Sequence, residues 1–114
     1  KIEYFDDGLI AYCAIPFEQI SLISAQDGDF EGIVETMLYI EGVELSCLLL
    51  ERSPMITKIS LRSRSQYNVA HLAQEISSKG GGHERAAGAI LERPLAQCAA
   101  QIQKQIISHV RHTD

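Results

Sequence analysis

The sequence predicts a single α/β or α+β domain spanning residues 1–114, with a mixed sheet of about four to five strands flanked by about four helices. A length of 114 residues is typical of one domain. Hydrophobic residues make up 46% of the chain and charged residues 22%, which is a globular composition with enough apolar material for one core. Strand-like and helix-like segments follow one another along the chain, as in layered architectures.

Two strands and two helices are predicted in the first half of the chain. The apolar segment 9–15 is a predicted strand, and the proline after it suits the first turn of a helix over residues 16–24. Residues 27–29 predict a turn. Apolar residues then recur at helical spacing over residues 30–38, which predicts an amphipathic helix. The strand predicted over residues 43–51 contains three consecutive leucines, which indicates burial on both faces.

The second half of the chain predicts two more strands and two more helices. Residues 55–63 form a predicted strand that could pair with the preceding one as a hairpin. Asn68 is a suitable cap for a helix that ends near residues 79–80. Residues 87–91 predict a short strand, and Pro94 opens a last helix with an apolar stripe.

Composition excludes several classes of protein. The net charge of −5 argues against a general nucleic-acid binder, and no apolar run approaches the ~20 residues of a membrane span. The three cysteines are far apart and odd in number, so we expect buried thiols and a cytoplasmic location rather than a disulfide framework. Because no initiator methionine or signal peptide opens the chain, we expect a fragment of a longer protein.

Basic residues concentrate between residues 52 and 85, where six of them stand against two acidic residues. Alternation along the strand would place four polar side chains on one face: Lys58, Ser60, Arg62 and Arg64. Two arginines at this spacing, beside a hydroxyl, can bind a phosphate. A half-buried strand with a solvated basic face would show the same pattern.

Three consecutive glycines and a histidine, Gly80, Gly81, Gly82 and His83, separate the third predicted helix from the next strand. Glycines let backbone N–H groups approach an anion closely, and a histidine can donate a further hydrogen bond. The alternative is a flexible loop whose first glycine ends the helix.

These segments in combination resemble the DHH-associated domain of DHH-family phosphoesterases. The family pattern joins a strand with S-x-R-S, a short V-x-x-I/L-A helix and the run G-G-G-H-x-x-A-A-G. The matching positions here are Ser60, Arg62, Ser63, Val69, Leu72, Ala73, Gly80, Gly81, Gly82, His83, Ala86, Ala87 and Gly88. The resemblance spans about residues 8–110, and the ordered combination is specific, whereas GGGH alone would not be.

The resemblance implies a division of labour between two domains. In the family, a larger N-terminal DHH domain supplies Asp and His ligands for two divalent metals, which activate water for phosphoester hydrolysis. It therefore implies Mn²⁺ (or Mg²⁺) in a DHH domain of the same protein that lies outside residues 1–114. It also implies no metal and no catalytic residue within residues 1–114, and no activity of these residues alone. It assigns substrate binding to Ser60, Arg62 and Gly80 to His83, while Arg64 is a weaker candidate that rests on strand geometry.

Several substrates fit this resemblance. The leading hypothesis is an oligoribonuclease-like enzyme acting on short single-stranded oligonucleotides or on adenosine 3′,5′-bisphosphate. The alternatives are a cyclic-dinucleotide phosphodiesterase, a single-strand exonuclease, an exopolyphosphatase-like relative and a non-catalytic anion-binding module. The expected partners are the nucleotide substrate and the DHH domain of the same chain. No membrane contact is expected, and a homodimer is left open.

Overall fold

The computed structural model describes residues 1–23 and 27–113 and has one mixed sheet with helices on both faces. The strands are β1 (Glu3–Phe5), β2 (Ile10–Ile15), β3 (Leu45–Ser53), β4 (Ile56–Ser63), β5 (Gly81–His83) and β6 (Ala86–Leu91). The helices in this part of the chain are α1 (Phe17–Ile23), α2 (Asp27–Met37), α3 (Val69–Ile76) and α4 (Leu95–Arg111). The predicted fold class is confirmed, with six strands rather than four to five.

The sheet order is β1-β2-β3-β4-β6-β5. β2 and β3 are parallel, with α1 and α2 in the connection between them, and every other neighbouring pair is antiparallel. β3 and β4 form the predicted hairpin. The two strands that the sequence did not reveal, β1 and β5, lie at the two edges and have three residues each, too few to show a period-two pattern.

Each face of the sheet carries its own hydrophobic core. On one face, α3 and α4 pack on β2, β3, β4 and β6, and Ile59 and Leu61 of β4 are fully buried there. On the other face, α1 and α2 pack on β2 and β3. The three leucines of β3 alternate between these cores, since Leu49 belongs to the first and Leu48 and Leu50 to the second. Burial on both faces of β3 is therefore confirmed.

Several element boundaries differ from the predictions. α2 begins at Asp27, inside the predicted turn, and α3 ends at Ile76 rather than near residues 79–80 because Ser77 is already extended. The predicted cap is confirmed, since Asn68 Oδ1 accepts hydrogen bonds from the N–H groups of residues 70 and 71. The predicted end of the first helix, at residue 24, lies outside the described residues.

Two other expectations concern the thiols and the membrane. All three cysteines are buried as free thiols, as predicted. Among the helices that the structure describes, none combines the length and the apolar character needed to cross a membrane.

One carboxylate joins two helix N-termini. Glu51, on β3, accepts a hydrogen bond from the Phe17 N–H at the start of α1 (3.0 Å) and from the Leu95 N–H at the start of α4 (2.8 Å). Both N–H groups lack a partner within their own helix, and a carboxylate there also complements the helix dipole.

We expect Glu51→Ala to lower the free energy of unfolding by about 1–3 kcal/mol, because two capping interactions are lost together. Urea denaturation followed by circular dichroism measures the change. Glu41→Ala, at an exposed turn position, should alter stability by less than about 0.5 kcal/mol. Equal stability of the two variants would contradict the capping role.

Candidate functional site

An open cleft of about 730 Å³ lies on the α1/α2 side of the sheet, where β6 and β5 extend beyond these helices. On β6, Ala87 and Ala89 are buried against the opposite core, whereas Ile90 on the cleft side is 54% exposed. The cleft volume lies within the range typical of small-ligand sites.

The strand register determines which residues share this face. Directly opposite residues of antiparallel strands point to the same side of the sheet. Ser60 is opposite Gly88, which is opposite Gly81, while Arg62 is opposite Ala86, which is opposite His83. The two glycines leave no side chain beyond Ser60, so a recess runs from the Ser60 hydroxyl to the sheet edge.

Two of the three consecutive glycines are required by packing. A Cβ on Gly80 would lie 2.2 Å from the Ala73 carbonyl oxygen. Gly82 has a φ of +145°, and a Cβ there would lie 2.7 Å from the Ala86 oxygen and the Ala87 Cα. Gly81 differs, because nothing lies within 4 Å of its Cβ position and it faces the cleft.

The polar side chains of β4 already hold a carboxylate. Glu31, on α2, reaches over the strand so that one oxygen lies 2.5 Å from Arg62 Nη2. Its other oxygen lies 3.2 Å from Lys58 Nζ and 3.1 Å from Ser60 Oγ. We call these three donors, on Lys58, Ser60 and Arg62, the anion seat.

Arg62 is the most enclosed charge of the anion seat, with 13% of its side chain exposed. Its Nη1 donates to the Leu61 carbonyl at 2.9 Å, and its Nε lies 3.5 Å from a Glu35 carboxylate oxygen. The guanidinium is therefore fixed on the strand from several sides.

The electrostatic state of Glu31 follows from these contacts. Partial burial alone would raise its pKa, but hydrogen bonds from Lys58, Ser60 and Arg62 outweigh that effect and leave the pKa below its usual value. Glu31 is therefore a carboxylate at neutral pH, and the anion seat binds a charged oxyanion.

The structure brings together four of the seven predicted site residues. Ser60, Arg62, Gly81 and Gly82 all line the cleft. The alternative interpretation of the glycine run as a flexible loop is wrong for residues 81–83, which form an edge strand paired with β6.

The other three predicted residues lie outside the cleft lining. Gly80 packs against α3. His83 is exposed and lies two strands from Arg62, with Ala86 opposite each of them. Arg64 follows the end of β4, donates to the Leu38 carbonyl oxygen and lines a neighbouring cleft with Arg62 and Arg85.

Several residues that line the cleft were absent from the predicted site, among them Lys58, Lys79, Gly88 and Glu31. Lys58 was noted for its alternation, and Lys79 and Gly88 flank the recess. Gly88 did carry a signal in the sequence, because it ends the small-residue run 86–88 of the family pattern. The most informative omission, Glu31, carries no signal in the sequence, because a glutamate on an amphipathic helix reads as solvent-exposed.

The family model of the DHHA1 domain matches residues 17–111. The chain belongs to the DHHA1 domain family. DHHA1 domains occur in DHH-family phosphoesterases, which include exopolyphosphatase-related proteins and RecJ. No curated protein shows significant sequence similarity to this DHHA1 domain.

Solved structures share the fold of this DHHA1 domain. An exopolyphosphatase-related protein from Bacteroides fragilis is 28% identical, with a TM-score of 0.84 over 96% of this chain and 32% of that one. A pGpG-specific phosphodiesterase from Vibrio cholerae is 12% identical, with a TM-score of 0.66 over 99% of this chain and 36% of that one. RecJ from Thermus thermophilus, solved with Mg²⁺, is 15% identical, with a TM-score of 0.65 over 96% of this chain and 16% of that one. This DHHA1 domain thus spans about a third of the length of the first two.

Proposed function

We propose that this DHHA1 domain binds the phosphate and nucleoside of a short single-stranded oligonucleotide or of adenosine 3′,5′-bisphosphate, for hydrolysis by a DHH domain of the same protein. The observation that carries the proposal is the anion seat beside the glycine recess. Arg62 offers its Nη2 group, Lys58 a point charge and Ser60 a hydroxyl, a donor set that suits phosphate oxygens.

The surroundings of the anion seat favour a nucleotide over a bare phosphate. Ile90, opposite Lys58 in the strand register, provides an exposed apolar surface for a ribose or base. The recess at Gly88 and Gly81 lets a ligand lie against the backbone of an edge strand, where one side is free of sheet pairing.

Polyphosphate is a second candidate because of the 28% identity to an exopolyphosphatase-related protein. A polyphosphate would need an uninterrupted cationic track. The cleft instead combines Lys58, Arg62 and Lys79 with the acidic Glu31 and Glu92. This mixed charge favours a ligand with one or two phosphates and an apolar part.

Hydrolysis itself is assigned to the DHH domain. Among residues 1–23 and 27–113, no group of three or more His, Cys, Asp or Glu side chains could hold a metal ion. The described residues therefore do not fit the Mn²⁺ or Mg²⁺ that the chemistry needs.

The proposal predicts saturable binding without turnover. Isothermal titration calorimetry of the 114-residue chain with AMP, with adenosine 3′,5′-bisphosphate and with the 5′-phosphorylated dinucleotide of two adenosines should show 1:1 binding that weakens with salt. Chromatography of the same mixtures with added Mn²⁺ should show no product. Adenosine is the control for the phosphate, and tripolyphosphate is the control for the nucleoside. Equal affinity for adenosine and AMP, or tighter binding of tripolyphosphate than of every nucleotide, would contradict the proposal.

A further inference from the structure

The anion seat is filled in the domain alone. Both carboxylate oxygens of Glu31 are engaged, one with Arg62 and the other with Lys58 and Ser60. These are the donors that the proposed function assigns to a phosphate. A ligand phosphate and the Glu31 carboxylate cannot occupy the same three donors at once.

Charge balance makes the conflict sharper. Lys58 and Arg62 carry two positive charges at the seat, and Glu31 and Glu35 bring two negative charges within 4 Å of them. A phosphate that approached with Glu31 in place would meet little net attraction and would add like charge beside a carboxylate. Binding at the seat therefore requires that Glu31 leave.

Glu31 is the member of this cluster that can move. Arg62 is largely enclosed and also donates to the Leu61 carbonyl of its own strand. The Glu31 side chain comes from a separate element, α2, and is 33% exposed, so a rotamer change takes its carboxylate into solvent. After such a change Glu35 remains near Arg62 Nε, so the guanidinium keeps a partner.

We propose that Glu31 is an internal competitor of the ligand: its carboxylate occupies the anion seat when no ligand is bound, and a nucleotide phosphate displaces it. This inference rests on the proposed function and adds a regulatory device to the same site. The apparent affinity for a phosphate ligand is the intrinsic affinity reduced by the fraction of molecules in which the seat is free. Any contact that draws Glu31 away, such as packing of a neighbouring domain on α2, would tighten binding.

The experiment compares two neighbouring carboxylates on one helix. AMP is titrated calorimetrically into the wild-type chain, Glu31→Gln, Glu31→Ala and the matched control Glu35→Gln. Glu31→Gln and Glu31→Ala should bind AMP about tenfold more tightly than the wild type. Glu35→Gln removes a charge from the same cluster but frees none of the three donors, so its gain should be smaller, about threefold or less. Thermal melts by circular dichroism confirm that each variant folds.

A second measurement follows Glu31 directly. In the wild-type chain, the carboxyl ¹³C resonance of Glu31 should move on AMP addition towards that of an exposed glutamate, while that of Glu35 moves less. Because this measurement uses only the wild-type chain, it does not depend on whether the variants fold.

The outcomes separate this inference from the proposed function. If AMP binds in an Arg62-dependent manner but Glu31→Gln weakens or does not change binding, Glu31 positions Arg62 and the competitor role is wrong. If Glu35→Gln bound AMP as tightly as Glu31→Gln, the gain would come from the removal of any nearby negative charge, and the competitor role of Glu31 would also be wrong. If neither the wild type nor Glu31→Gln binds AMP, the proposed function fails as well.

Discussion

Gly82→Ala should lower the free energy of unfolding by about 2–4 kcal/mol, since it combines strain at a positive φ with overpacking. Gly82 has a φ of +145°, and an added Cβ would lie 2.7 Å from backbone atoms of residues 86 and 87. These contacts are with backbone, so relief requires β5 to move away from β6. Urea denaturation of the purified chain measures the loss.

Gly81→Ala is the matched control for Gly82→Ala. Its Cβ position is open, so stability should change by less than about 1 kcal/mol. The added methyl group nevertheless projects into the recess beside Ser60, and AMP should bind about tenfold more weakly. Wild-type stability in Gly82→Ala would show that β5 and β6 do not need this close approach. If Gly81→Ala bound AMP as tightly as the wild type, β5 would not be part of the ligand site.

These three glycines show how far the sequence alone could lead. The pattern indicated small residues where a phosphate could approach, but it could not assign separate reasons to successive positions. Gly80 and Gly82 are required by contacts with α3 and β6, respectively, and only Gly81 faces open space. Such a distinction depends on atoms far away in sequence, such as the Ala73 carbonyl, and local propensity carries no information about them.

The basic strand shows the same limit for charge. Period-two alternation correctly placed Lys58, Ser60 and Arg62 on one face, because strand geometry fixes the side of each residue. The same alternation did not hold for Arg64, because β4 ends at Ser63. The local excess of positive charge was real along the chain, but folding brings Glu31 and Glu35 from α2 onto it.

The short edge strands had no usable signal. A three-residue strand such as β5 offers at most two residues on a face, and two of its three residues are glycines with low strand propensity. Its strand conformation arises from pairing with β6. Tertiary contact, rather than local preference, converts the expected loop into the rim of the cleft.

Arg62→Ala should raise the Kd for AMP by about ten- to a hundredfold. A hydrogen bond to a charged group contributes about 1.5–3 kcal/mol, and 1.4 kcal/mol corresponds to one decade. Arg62 is the less exposed of the two charged members of the seat, and its Nη2 donates at the position that a phosphate would take. Arg62→Lys should restore only part of the affinity, because an ammonium group lacks the planar pair of donors.

Two control variants isolate this effect of Arg62. Arg64→Ala removes the same charge two residues along the chain, from a side chain that lines the neighbouring cleft, and should change the Kd by less than about threefold. Lys104→Ala, on exposed α4 surface at the opposite face of the sheet, should have no measurable effect. Calorimetric titration with AMP at fixed salt gives each Kd, and urea denaturation confirms that the variants stay folded. Arg62→Ala with near wild-type affinity, or with a loss no greater than that of Arg64→Ala, would show that the anion seat serves only to anchor α2 on the sheet through Glu31.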